Sequence, residues 1–124
     1  MRRGLIVGII GWLAASLVFR LFGHLILVGP GLPYVLALIV GGVLASAVAL
    51  LAARLFCEPG KSARFAAGVV IPGLLGDAAA TLAFAQVFPA LPPAFDVLFA
   101  AMMLWGYGVI LAVLILFGDK VVRT

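Results

Sequence analysis

Apolar positions along this chain fall into four long runs, over residues 4–28, 34–56, 65–88 and 94–117. None of them alternates with polar residues, and each approaches or exceeds the ~20 residues that an α-helix needs to cross ~30 Å of hydrocarbon. Barrel strands would be shorter, ~9–11 residues, with every second side chain polar. A backbone in lipid must also satisfy its hydrogen bonds within its own segment, so helices are expected. The runs are separated by helix breakers and turns: "GPGLP" at 29–33, "CEPGKSAR" at 57–64 and "PALPP" at 89–93. Connections this short favour antiparallel packing of successive helices. The pattern predicts an all-α membrane protein, an up-down bundle of four transmembrane helices forming one domain over residues 1–124.

Composition supports this reading. Hydrophobic residues make up 67% of the 124 positions and charged residues 10%, against about 25% charged in soluble domains. Too few polar groups exist to cover a soluble surface. The net charge of +4 would suit nucleic acid if it were clustered, but the basic residues lie at the ends of apolar runs, so no nucleic-acid partner is expected. Arg2, Arg3, Arg54, Lys61, Arg64, Lys120 and Arg123 all fall on one side of the threading, and only Arg20 falls toward the other. The positive-inside rule then puts both termini in the cytoplasm. "MRR" followed by an apolar run resembles the beginning of a signal peptide. The small residues of "LAAS" lie within the run, however, with Leu17-Val18-Phe19 after them. A retained first helix is expected.

Small residues recur every three or four positions on helix one (Gly4, Gly8, Gly11, Ala15) and every four on helix two (Gly41, Ala45, Ala49, Ala53). Such spacing lets helix backbones approach closely. It predicts seams inside the bundle, with Ala45→Leu disrupting one of them. The two halves share "PGL" at 30–32 and 72–74, a weak hint of a repeat. Pro72, Gly73 and Gly76 lie within the third run, where Pro72 removes a backbone hydrogen bond.

The candidate chemistry lies in the apolar runs. Asp77 is roughly 18 Å from the basic side and Arg20 roughly 24 Å, at ~1.5 Å per residue. A carboxylate at that depth costs on the order of 2.5–3.5 kcal/mol to insert and needs a partner or a proton. The depth gap of roughly 6 Å is within reach of an arginine side chain, so an Arg20–Asp77 pair is expected. Ser16, Arg20 and His24, spaced by four, would form one polar stripe, and Thr81 would share the face of Asp77. Tyr107 lies too deep for an interfacial belt and should point into the bundle toward a hydrogen-bond partner. Asp77, Arg20, His24, Thr81 and Tyr107 are therefore the candidate intramembrane polar site. Gln86 should lie near the interface, Asp96 at a helix N-terminus, and Glu58 and Asp119 in solvent. Cys57 has no second cysteine to pair with.

One histidine and four acidic residues, without paired carboxylates, a Ser-His-Asp set or a phosphate loop, offer little for hydrolytic chemistry. No enzyme activity, cofactor or metal is expected. The function read from these residues is that of a non-enzymatic scaffold or accessory membrane protein. The alternative is a small oligomeric transporter or channel using Asp77 and Arg20. Partners would be the lipid bilayer and either further copies of the chain or another membrane protein.

"GWLAASLVFRLFGH" near the start and "FPALPPAFDVLFAAMMLWGYGVILAVLILFG" near the end resemble a family of small uncharacterised four-helix bacterial membrane proteins. The matching positions are Arg20, Trp105, Tyr107 and Gly108. The resemblance implies a bacterial inner-membrane location and no particular activity.

Overall fold

The computed structural model describes residues 2–123, apart from the Arg123 side chain, so that part of the charge pattern lies outside the described residues. The chain forms α1 (Arg2–Ile26), α2 (Leu32–Phe56), α3 (Ser62–Leu82), a single-turn α4 (Phe84–Val87), a 3₁₀ turn (Pro93–Phe95) and α5 (Asp96–Arg123). Four of these helices are long and apolar enough to cross a membrane. The protein is an all-α membrane bundle. Its basic end gathers Arg2, Arg3, Arg54, Lys61, Arg64 and Lys120 at the start of α1 and α3 and the end of α2 and α5.

Successive helices run up and down, yet they are not the principal packing partners. α1 packs on α3, α3 on α5 and α5 on α2, while α1 barely meets α2. Glycines decide the first of these contacts. A β-carbon on Gly4 would collide with the Phe65 carbonyl, and one on Gly8 with the carbonyls of Gly68 and Val69. On the other side, Ala49 and Ala53 of α2 are buried with Leu114 of α5. Gly42 admits the Trp105 indole, whose N–H donates to the Leu38 carbonyl at 2.9 Å.

The small-residue stripes are therefore only partly seams. Gly11 and Gly41 have open space where a side chain would project. Gly11, Ala15, Ala45 and Ala52 line a groove between α1 and α2. Ala45 lines that groove and not a closed seam, so Ala45→Leu should extend into it.

The third apolar run is one turn shorter as a helix than the hydrophobic pattern suggests. α3 stops at Leu82, and α4 restarts after Ala83. The break lets Phe84 and Phe88 turn inward onto Phe19 and Phe99, with ring centroids 4.9–5.5 Å apart. This cluster, with Leu27, Ala80 and Leu91, is a core at the end of the bundle away from the basic residues. A second core, around Phe65, Ala66 and Leu114, lies near the basic end. The two "PGL" segments are not equivalent: Pro30 lies in a loop, whereas Pro72 lies inside α3.

Candidate functional site

Between the two cores lies the only aspartate of α3. Asp77 is 7% exposed, and two side chains donate to its carboxylate. The Trp12 indole N–H donates to Oδ1 at 2.9 Å, and the Tyr107 hydroxyl to Oδ2 at 2.5 Å. Each oxygen thus receives one hydrogen bond, from a different helix. Three helices, α1, α3 and α5, are tied at one point.

The local sequence explains how large rings reach a carboxylate so close to the α3 backbone. Gly73 and Gly76 lie four and one residues before Asp77. A β-carbon on Gly73 would overlap Tyr107, and one on Gly76 would overlap Trp12. "PGLLGD" is therefore a pair of glycine seats beside an acceptor. On α1, Gly4, Gly8, Trp12 and Phe19 recur at helical spacing and form the stripe that meets α3.

Tyr107 points into the bundle and finds a partner, as its depth implies. Arg20 does not reach Asp77. It follows Phe19, which occupies the inward stripe, so Arg20 is rotated about a quarter turn away and is exposed. Among the described residues, no ion pair joins Arg20 to Asp77. His24 is likewise exposed, and only Ser16 of the expected polar stripe is half-buried. The Thr81 hydroxyl donates to the Asp77 main-chain carbonyl at 2.7 Å and leaves the carboxylate alone. Of the five candidate residues, Asp77 and Tyr107 are brought together directly; Thr81 touches only the backbone; Arg20 and His24 stand apart. The residue that sequence reasoning missed is Trp12. Its signal was an indole N–H inside an apolar run, which needs an acceptor.

The surroundings of the cluster are apolar. A cavity of about 50 Å³ beside Asp77 is walled by Phe19, Phe88, Phe99 and Met103. A cleft of about 360 Å³ between α3 and α5 is lined on one flank by Asp77, Thr81 and Tyr107 themselves, together with Leu74 and Leu104. The α1/α2 groove, about 310 Å³, approaches Trp12 and Tyr107 from the other. Among the described residues, no three His, Cys, Asp or Glu side chains converge as a metal site.

The acidic residues other than Asp77 lie at or near helix ends. Asp96 Oδ1 accepts from the Val97 N–H at 2.7 Å at the start of α5, where a negative charge suits the helix dipole. Glu58 pairs with Lys61 at 2.8 Å. The hydrogen bond from Lys61 holds the Glu58 carboxyl below the usual carboxylate range. Asp119 departs from expectation: it is half-buried, with Oδ1 enclosed.

The chain matches no curated protein and no solved structure. A family model does match residues 32–120, a stretch that includes Asp77, Trp105, Tyr107 and Gly108 but neither Trp12 nor Arg20. That match covers most of the chain, which therefore belongs to DUF5367, a family of unknown function.

Proposed function

We propose that this protein is a non-enzymatic scaffold or accessory protein of the bacterial inner membrane, with both termini cytoplasmic, and that its intramembrane carboxylate is a structural clamp. The observation that carries this reading is that both Asp77 oxygens are occupied by donors from two other helices. A transport site needs a carboxylate that exchanges partners with water, an ion or substrate. Here the acceptor sites face indole and phenol groups fixed by glycine seats, beneath a roof of phenylalanines. The inner-membrane orientation rests on the basic residues gathered at one end of the bundle.

Reconstitution in proteoliposomes tests the reading. The parent should carry no proton or solute flux above protein-free vesicles, and Asp77→Asn should change its heat stability. Flux in the parent that Asp77→Asn abolishes would establish transport and remove the scaffold reading. Reporter fusions at each terminus test the orientation: both should be active as cytoplasmic fusions.

A further inference from the structure

The groove between α1 and α2 exists because those helices pack on different partners. Each leans on its own neighbour, α3 or α5, and the facing side chains are too small to close the gap. Gly11 and Ala15 are exposed along it. An empty gap of this kind loses dispersion contacts along both walls. In a bilayer the medium that lies against it is the acyl chain.

What sets this groove apart is its end. One turn toward the start of α1, the groove walls at Val7, Ala52 and Val69 give way to Gly4, Phe56 and Phe65. These residues line a second pocket of about 200 Å³, which also holds Arg2, Arg3 and Lys61. The apolar groove and this cationic mouth thus lie about one helical turn apart along the same helices. Glu58 is the one acidic side chain in that mouth and is bonded to Lys61. Three cations thus face one carboxylate. Arg3 Nη1 donates to the Phe56 carbonyl at 3.4 Å, which holds its guanidinium across the mouth while most of its five N–H donors stay free. An arginine fork suits a phosphate geometrically.

The dimensions agree with one leaflet. From Arg3 to Ala15 the site runs roughly 18 Å along α1, close to half of the ~30 Å hydrocarbon core. Anionic charge at one end and a greasy chain at the other describe a phospholipid.

We propose that the α1/α2 groove and its basic mouth bind one anionic phospholipid, with the phosphate held by Arg2, Arg3 and Lys61 and an acyl chain laid over Gly11, Ala45 and Ala52. This reaches beyond the scaffold reading and does not depend on it.

Native mass spectrometry of the full chain released from detergent tests the site. The probes are phosphatidylglycerol, phosphatidylcholine with matched chains, and glycerol phosphate without chains. The parent should retain one phosphatidylglycerol per chain in preference to phosphatidylcholine, and should ignore glycerol phosphate. Arg2→Gln and Arg3→Gln should each weaken phosphatidylglycerol retention by roughly fivefold, the scale of one juxtamembrane cation. Together they should bring it near the phosphatidylcholine level. Gly11→Leu, whose side chain enters open space, should weaken both lipids, and Ala45→Leu provides a second filling variant. Equal retention of the two lipids by the parent would overturn the proposal, as would glycerol phosphate binding as well as the intact lipid. A dimer that excludes lipid and that Gly11→Leu dissociates would overturn it too, because the occupant would then be a second copy.

Discussion

Tyr107 occupies the space that a β-carbon on Gly73 would take, and from there its hydroxyl reaches Asp77. The glycine is thus part of the polar cluster although it has no polar side chain. Gly73→Ala should displace the Tyr107 ring, at a cost of about 1–3 kcal/mol for overpacking. Gly76→Ala should do the same to Trp12. Thermal unfolding in detergent should show a lower midpoint for both variants, and Gly41→Ala, which meets open space, should leave it near the parent value.

The two donors to Asp77 are coupled through one carboxylate. Tyr107→Phe leaves Oδ2 without its donor in a buried setting, which should cost about 1–3 kcal/mol; Trp12→Phe should cost a similar amount by vacating Oδ1. The distinguishing measurement is a double-mutant cycle. In an Asp77→Leu background there is no acceptor left to orphan, so Tyr107→Phe should cost far less than in the parent. Equal costs in the two backgrounds would mean that the hydroxyl contributes independently of Asp77.

Arg20 is exposed and makes no pair with Asp77. Arg20→Gln should therefore change stability by no more than about 0.5 kcal/mol, as for other surface positions. A loss comparable with that of Asp77→Asn would contradict the geometry. A charge-swapped Arg20→Asp, Asp77→Arg double variant should not be rescued. It would bury a guanidinium between the Trp12 indole, which cannot accept, and the single Tyr107 hydroxyl, leaving most of its five N–H donors unsatisfied.

The contrast between Arg20 and Tyr107 shows how far sequence reasoning reaches in a chain of this kind. Helix number, and the level of each residue along its helix, follow from the lengths of the apolar runs. Depth alone put Arg20 within range of Asp77. Azimuth is harder to read, because when nearly every position is apolar the hydrophobic pattern no longer marks the inward face. On α1 that face is written by Gly4, Gly8 and Trp12, which are small or aromatic and not more apolar than their neighbours. The same loss of contrast hid the order of packing. Short loops bring α2 and α3 together in sequence, but the packing follows glycine seats and buried rings, so α3 sits between α1 and α5. The end of α3 at Leu82 was also unmarked, since Ala83 is no helix breaker and the break serves the inward turn of Phe84 and Phe88.

Cys57 follows the last residue of α2 and is 8% exposed, with its Sγ–H directed to the Glu58 carbonyl at 3.3 Å. Burial pushes its thiol above the ordinary range, and the nearby Asp119 and Glu58 carboxylates push the same way. The thiolate is the reacting species, so a folded protein should label slowly with maleimide at neutral pH, and faster as pH rises. The sign for stability is the opposite one. A group whose folded pKa is raised binds its proton more tightly in the folded state. Its contribution is complete below the unfolded thiol's pKa and falls as pH rises from there through the folded value. Cys57→Ser should flatten that alkaline decline. Rapid labelling of the folded parent at neutral pH, at the rate of the denatured chain, would show that the thiol is not enclosed between α2 and its neighbours.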